Sequence, residues 1–506
     1  MPGGAGASGG VNGAQDNSTV DVSQIVSVHD LHDSCEGHLG IGHVVGAVAV
    51  RGSHSVEPTD QHRYYPAHMR LSVIGTGYLG ATHAACMASL GHEVIGVDTD
   101  AQKVTMLNSG VVPFFEPGLP EVLQEQLASG RLRFDTDFAG VADADVHFIC
   151  VGTPQKPSAY GADLTQVWAA TDALAAQLSR PTLVVGKSTV PVGTADAMLH
   201  RLRQNAPAGA GIDLAWNPEF LREGHAVQDT LAPDRLVVGL ARPEDEATLR
   251  RVYADLLDRD VPWLTTDLAT AELVKVSANA FLATKISFIN AMAEVCEATG
   301  ADVVTLSTAL GMDPRIGNQF LKAGLGFGGG CLPKDIRAFM ARAGELGVDQ
   351  ALTFLREVDE INLRRRSRAV DLAREAVGGS FVDQQVAVWG AAFKPNSDDV
   401  RDSPALDVAA AIYTEGAEVT VHDPQAMGNA KKSFPHLFYA SSAIEAVQGA
   451  DVLLLLTEWP EYQDVDPHVA GDLMRKLQVI DARNALDPHS WRSAGFRYRG
   501  LGRPLA

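Results

Sequence analysis

LSVIGTGYLGATHAACMASLGHEVIGVD, residues 71–98, is the stretch whose reading decides the fold. Leu71–Ile74 is a short apolar run with the character of a buried strand, and Leu79–Leu90 has that of a helix. Glu93–Val97 forms the next strand and closes on Asp98. The turn between the first strand and the helix is Gly75-Thr76-Gly77-Tyr78-Leu79-Gly80. Glycine spacing of this kind is weak by itself, because glycine is common. Set between a strand and a helix, it describes a βαβ unit shaped for a dinucleotide. Gly75 makes the turn, Gly77 admits a pyrophosphate to the helix N-terminus, and Gly80 lets helix and strand pack closely. Asp98 can accept hydrogen bonds from an adenosine ribose and repels a 2′-phosphate, which favours NAD over NADP. The competing reading is a glycine-rich turn with no ligand.

Working outward, Val146–Val151, Thr182–Lys187, Leu214–Trp216 and Leu236–Leu240 are short, apolar and followed by turn or helix signals. That alternation predicts a parallel sheet. An alanine-rich helix is predicted from about Thr265 to Gly300, and a second helical block over Leu352–Ala376. A new α/β unit then begins, with strands at Val386–Trp389, Glu418–His422, Val452–Leu456 and Gln478–Ile480. Its first turn, Gly390-Ala391-Ala392-Phe393-Lys394-Pro395-Asn396, carries no dinucleotide fingerprint. Lys394 and Arg401 either hold an anionic nucleotide there or are solvated surface cations. The predicted architecture is α/β: two Rossmann-like, doubly wound parallel-sheet domains (69–264 and 379–506) joined by a central helical segment (265–378) with one long helix. Residues 1–68 are expected to be a largely disordered extension, with Val44–Arg51 a candidate strand. Met1–Gly13 lacks the basic start of a signal peptide, and Met69 stands directly before the first strand.

The net charge of −21 over 506 residues argues against nucleic acid or an anionic membrane surface as partner. No apolar run approaches the roughly 20 residues that span a bilayer. The five cysteines, at 35, 86, 150, 296 and 331, are odd in number and contain no CxxC pair. This points away from a disulfide framework and a structural zinc site, and toward a reducing, cytoplasmic setting.

One cysteine stands apart. Gly326-Phe327-Gly328-Gly329-Gly330-Cys331-Leu332-Pro333-Lys334-Asp335 places it on a nearly side-chain-free loop before a helix opened by proline. A helix N-terminus favours the thiolate, so Cys331 is expected to be a nucleophile with a lowered pKa; the alternative is a small buried cysteine at a turn. Lys275 and Asn279 are four apart on the long helix and share a face, either as a surface pair or as donors to an oxyanion. Asn217-Pro218-Glu219-Phe220-Leu221-Arg222-Glu223-Gly224 follows a strand, where parallel sheets bind ligands. Glu219 and Glu223 serve acid–base chemistry or cap a helix, and capping is the simpler reading. Thr153 and Thr189, in Val151–Pro154 and Lys187–Pro191, end strands of the same sheet. Their hydroxyls order a water or a ribose, or act as N-caps.

In this order the segments resemble the UDP-glucose/GDP-mannose dehydrogenase family, from about Met69 to the C-terminus. The matching stretches are Gly75–Gly80, Phe115-Glu116-Pro117-Gly118, Lys187–Pro191, Asn217–Gly224, Ala271–Asn279, Phe320–Asp335, Phe393–Arg401 and Asp481-Ala482-Arg483-Asn484. Gly330 departs from the pattern, since the family more often has serine before the cysteine. The resemblance implies an NAD-dependent four-electron oxidation of a nucleotide sugar at C6, UDP-glucose to UDP-glucuronate. Cys331 would hold a thiohemiacetal and then a thioester. Asp335 with a water near Thr153 would deprotonate the C6 hydroxyl, Lys275 and Asn279 would stabilise oxyanions, and Glu219 would assist hydrolysis. Sugar and diphosphate would lie against Glu219, Phe220, Leu221, Arg222, Glu223, Lys275, Asn279, Phe320, Leu321, Lys322, Ala323, Gly324, Gly328, Lys394 and Arg483. Arg315 would reach the sugar nucleotide of a neighbouring subunit, which implies a homodimer. NAD would be held by the Gly75–Gly80 turn with Tyr78 and Leu79, and by Asp98, Lys103, Thr153, Thr189, Glu223, Lys334 and Arg401. The alternatives are a GDP-mannose or other nucleotide-sugar 6-dehydrogenase and, in a different class, a catalytically silent NAD-binding scaffold.

Overall fold

From Leu71 onward every strand that the apolar runs predict forms, and two sheets result. The computed structural model describes residues 68–504; the N-terminal extension and its candidate strand Val44–Arg51 lie outside the described residues. The first sheet contains β1 (Arg70–Ile74), β2 (Glu93–Val97), β3 (Leu132–Asp135), β4 (Val146–Ile149), β5 (Thr182–Gly186), β6 (Ile212–Trp216), β7 (Leu236–Leu240) and β8 (Trp263–Thr266). Their order is β3-β2-β1-β4-β5-β6-β7-β8. The order reverses between β1 and β4, so the crevice above their carboxyl ends is the natural ligand site.

The sheet departs from the wholly parallel expectation in one place. β7 pairs antiparallel with β6, through Ala215 with Leu240 and Trp216 with Gly239, while β8 runs parallel to β7. Between β6 and β7 the chain forms only a loop and a six-residue helix, Ala226–Leu231. At 1.5 Å per residue that helix is about 9 Å long, too short to recross a five-residue strand of roughly 16 Å.

The second sheet is β9 (Gln385–Trp389), β10 (Glu418–His422), β11 (Phe438–Tyr439), β12 (Val452–Leu455), β13 (Gln478–Asp481) and β14 (Arg497–Gly500), in the order β11-β10-β9-β12-β13-β14 and parallel throughout. Its core is anchored by Trp389, fully buried, stacked on Tyr462 at 5.1 Å and edge-on to Trp491 at 6.0 Å.

The helices that shape the site are α1 (Tyr78–Ser89), α2 (Thr194–Asn205), α3 (Ala226–Leu231), α4 (Leu268–Thr299), α5 (Leu332–Glu345) and α6 (Phe354–Val377). α4 starts later than the pattern suggests, because Thr265 and Thr266 belong to β8. Asp267 sets the start by accepting from the Thr270 amide at 2.7 Å, and Gly300, with φ 77°, ends the helix in the left-handed region. Its 32 residues span about 48 Å. α5 opens at Leu332, so Pro333 is its second residue rather than its first, a place where the missing N–H is equally harmless.

Trp389 fills the centre of the second core, so Trp389→Ala is expected to lower unfolding free energy by about 3–5 kcal/mol. Denaturant titration followed by the fluorescence of the remaining tryptophans would measure it.

Candidate active site

The turn after β1 has the geometry that its glycines predict. Gly75 has φ 86°, and a Cβ on Gly80 would overlap the Gly75 carbonyl oxygen. A Cβ on Gly77 would meet no atom within 4 Å, so the approach to the N-terminus of α1 is open. No side chain caps that terminus, which leaves its amides available to an anion. Asp98 Oδ2 accepts from the Thr76 amide at 2.8 Å and from Lys103 Nζ at 2.9 Å. Burial works against its ionisation, but Lys103 and the backbone amides outweigh it and hold the carboxyl below its usual range. These residues fit the pyrophosphate and ribose of a dinucleotide. The corresponding turn of the second sheet is filled by the protein itself: Asp423 Oδ2 accepts from the Ala391 and Ala392 amides at 2.7 and 2.9 Å.

One face of α4 gathers the reactive groups. Glu272, Lys275 and Asn279 are spaced three and four apart, and all are buried. Glu272 accepts from the amides of Gly193 and Ala195, both at 2.7 Å, and so caps α2. Burial pushes its carboxyl up to about 7 against the pull of those amides. Lys275 Nζ lies 3.1 Å from Glu219 Oε1. Burial would lower its ammonium, but Glu219, Cys331 and Asp335 raise it above its ordinary value. Asn279 Nδ2 donates to Asp335 Oδ2 at 2.6 Å, while Lys334 Nζ meets the other oxygen at 2.6 Å. Lys334 and Asp335 also line a cleft with Thr189, Pro191, Val276 and Phe339. Thr153 is not an N-cap: its hydroxyl donates to the Thr189 carbonyl at 2.7 Å, which ties the rims of β4 and β5 together.

Cys331 immediately precedes α5; the residue as a whole is exposed, but its thiol is surrounded by protein. The lowered pKa expected from the helix N-terminus does not hold. Surrounding protein burial first, then Asp335 and Glu219, push the thiol up to about 12, and the Lys275 ammonium offsets only part of this. The glycines before it allow close approach, but largely of protein. A Cβ on Gly330 would sit 2.5 Å from Arg401 Cζ, and one on Gly328 would overlap the Asp402 carbonyl. Phe327 is fixed at both backbone atoms by Asn362, at 2.7 and 2.9 Å.

The Asn217–Gly224 loop joins the two sheets. Glu219 caps no helix; its Oε2 accepts from the Leu221 amide at 2.6 Å within the loop. Glu223 caps none either. It accepts from Ser397 Oγ at 3.0 Å and lies 3.6 Å from Arg401, both on the loop after β9. Burial, then Asp399, push its carboxyl up to about 7 despite Arg401, Lys394 and Ser397. Burial likewise pulls the Lys394 ammonium down, against Glu223 and Cys331. α3 is capped instead by Glu116, which accepts from Gly224 at 2.6 Å and Ala226 at 2.7 Å and also bonds the Tyr78 hydroxyl.

Glu219, Lys275, Asn279, Cys331, Lys334 and Asp335 thus converge, whereas other expected site residues do not join them. Arg222 faces solvent in a bidentate pair with Asp229, and Arg315, its side chain 86% exposed, pairs with Asp313. Phe220 lies under Lys275, 5.6 Å from its ammonium. In the Phe320–Gly324 loop, Leu321 and Ala323 are core residues, Lys322 is exposed, and the Gly324 amide donates to Asn290 at 2.9 Å. Arg483 donates to the carbonyls of Leu456, Gly326 and Phe393, which clamps the glycine-rich Cys331 loop to the second sheet. Sequence reasoning missed the positioning roles of Glu116, Glu272 and Asn362. Glu116 and Glu272 lay in stretches already singled out for their wording, Phe115–Gly118 and Ala271–Asn279; Asn362 did not.

A dinucleotide cradle on one sheet, a second Rossmann-like sheet whose turn is closed, and a cysteine at their seam define an NAD-dependent dehydrogenase with a separate domain for its substrate. Family models agree: the UDP-glucose/GDP-mannose dehydrogenase family matches at residues 69–257 (NAD binding domain), 269–364 (central domain) and 387–488 (UDP binding domain). The UDP-glucose 6-dehydrogenase of Rhizobium meliloti is 41% identical over 439 residues, covering 86% of this chain and 100% of that protein. Among solved structures, a UDP-glucose dehydrogenase from Pyrobaculum islandicum superposes with a TM-score of 0.80 at 37% identity, over 89% of this chain and 100% of that one. A UDP-D-ManNAc dehydrogenase from Pyrococcus horikoshii gives 0.77 at 29%, over 87% and 100%. The chain belongs to the UDP-glucose/GDP-mannose dehydrogenase family.

The raised Glu223 carboxyl has a consequence for stability. Between about pH 4.5 and 7 the folded protein keeps a proton that the unfolded chain has released, so this contribution is complete below 4.5 and lost as pH rises through 7. Glu223→Gln cannot titrate. Its melting temperature is expected to fall less than that of the parent protein between pH 5 and 8, as calorimetry would show.

Proposed function

We propose that the chain oxidises UDP-glucose to UDP-glucuronate, with overall balance of one sugar nucleotide, two NAD and one water giving the carboxylate, two NADH and three protons. The observation that carries this reading is the meeting of Cys331, Lys275, Asn279, Asp335 and Glu219 at the rim of the dinucleotide cradle. NAD, when bound, accepts a hydride from C6 in each of the two oxidations. The division of labour follows the chain: 69–264 for NAD, 265–378 for the catalytic loop and subunit contact, and 379–506 for the UDP-sugar.

Asp335 takes the C6 hydroxyl proton through a water near Thr153. Its carboxylate is already oriented by Lys334 and Asn279. The Cys331 sulfur then adds to the aldehyde carbon; the thiol proton leaves as the S–C bond forms, and the carbonyl oxygen becomes the thiohemiacetal hydroxyl. Lys275 and Asn279 stabilise the oxyanions on either side of the thioester. Glu219 activates the water that cleaves it, releasing carboxylate and thiol. Holding the half-oxidised carbon on sulfur keeps the aldehyde bound while the coenzyme is exchanged.

A homodimer suits the surface of α4. Phe281, Phe288 and Val295, seven apart, are exposed along one stripe, and Met312 and Ile316 are exposed after the following helix near Arg315. Among the described residues Cys86, Cys150, Cys296 and Cys331 are free thiols, which supports a reducing, cytoplasmic setting.

Turnover with UDP-glucose should yield two NADH per sugar nucleotide, against little or none with GDP-mannose; a stoichiometry of one would remove the thioester scheme. Cys331→Ser should abolish the second oxidation. Asp98→Ala should narrow the preference for NAD over NADP, measured as the ratio of kcat/KM values.

A further inference from the structure

Lys187 is a buried charge that the scheme above does not use. It follows β5 directly, is only 7% exposed, and makes no ion pair among the described residues. Its ammonium donates to Asn217 Oδ1 at 2.9 Å and faces the Asn217 carbonyl at 3.4 Å. Asn217 is held on two further sides, by the Tyr253 hydroxyl at 2.6 Å and through its own amide to the Val237 carbonyl at 2.8 Å. Two residues later comes Glu219, whose carboxylate meets Lys275.

An unpaired buried ammonium is costly, and an apolar side chain of the same length would fill the space without that cost. Packing alone therefore does not explain Lys187. Burial pulls its ammonium down to about 8, with Cys150 and Glu219 acting in the opposite direction, so it carries its charge at neutral pH. The other titratable groups facing it are His83 on α1 and Tyr253. Its one direct anchor is the residue that opens the Glu219 loop.

We propose that Lys187 is a positioning residue: through Asn217 it holds the Glu219 carboxylate where the thioester is hydrolysed. This rests on the reading that Cys331 carries a thioester and deepens it. A loop displaced by about an ångström slows a positioned reaction by up to roughly 100-fold. The effect should fall on the hydrolytic step, since the fingerprint turn and Asp98 lie elsewhere on the sheet.

The test is Lys187→Met in the full chain with UDP-glucose and NAD. The melting temperature should be unchanged or higher, and NAD affinity, read by tryptophan quenching, should stay within about twofold. Turnover should fall about 10–100-fold, with a burst of two NADH per active site and an acyl group on Cys331 detected by intact mass. Turnover within about twofold of the parent protein, or a fall with no acyl adduct, overturns the proposal. Parent protein run alongside separates the two claims: one NADH per sugar there refutes the thioester, whereas two there and no adduct in K187M refutes only Lys187. Should K187M not fold, Tyr253→Phe decides. It removes the second donor to Asn217 Oδ1 and should give a smaller fall with the same adduct; its absence counts against the inference.

Discussion

A single helical face sets the geometry on which everything else rests. Glu272, Lys275 and Asn279 project from one stripe of α4 and reach three segments far apart in sequence: the start of α2, the Glu219 loop and the start of α5. Each contact is a buried polar one, and in a poorly screened interior such bonds are strongly directional. Rotating or shifting α4 would break all three together. The spacing of three and four residues therefore fixes how far α5, with Cys331 before it, sits from the sheet that bears the coenzyme cradle.

A second web crosses the seam between the sheets. Glu116 joins Tyr78 of the fingerprint to Gly224, and Glu223 beside it reaches Ser397 and Arg401, whose guanidinium lies over Gly330. The chain of contacts runs from the coenzyme turn to the residue before Cys331. It also bears on the departure at Gly330. A serine there would push on the far end of a flexible arginine rather than on backbone, so the family's more usual residue could be accommodated by a shift of Arg401.

Much of this was legible in the sequence, and what was not has a common cause. Interior strands are apolar on both faces and read as continuous runs, so β1, β2, β4 to β7, β9, β10, β12 and β13 stood out. The four that escaped notice, β3, β8, β11 and β14, are the edge strands of the two sheets. An edge strand has an exposed side, so Leu132-Arg133-Phe134-Asp135 and Arg497-Tyr498-Arg499-Gly500 mix charge with apolar residues. The fingerprint and the glycine-rich cysteine loop were readable because backbone geometry constrains their residues locally. The state of the Cys331 thiol was not, since it depends first on burial by the fold and then on Asp335 and Glu219, the latter distant in sequence. The capping role of Glu272 and the part played by Asn362 were hidden for the same reason: their partners, the Gly193 and Ala195 amides and the Phe327 backbone, are brought in by the fold.

The reversal of β7 and β8 has an architectural consequence. In an ordinary parallel unit the strand runs up to the ligand-bearing rim, and the helix after it doubles back down the flank of the sheet. β8 travels the other way, ending at Thr266 level with Gly239 and hence with Trp216 at the top of β6. A helix that doubles back from there departs outward, past the rim. That is how α4 becomes a mast standing on the first sheet, with Asn290 near its far end steadying the Gly324 amide and Ala293 packed under Gly502 of the second domain. One inverted strand pair thus turns what would have been a cladding helix into the strut that carries the other half of the molecule.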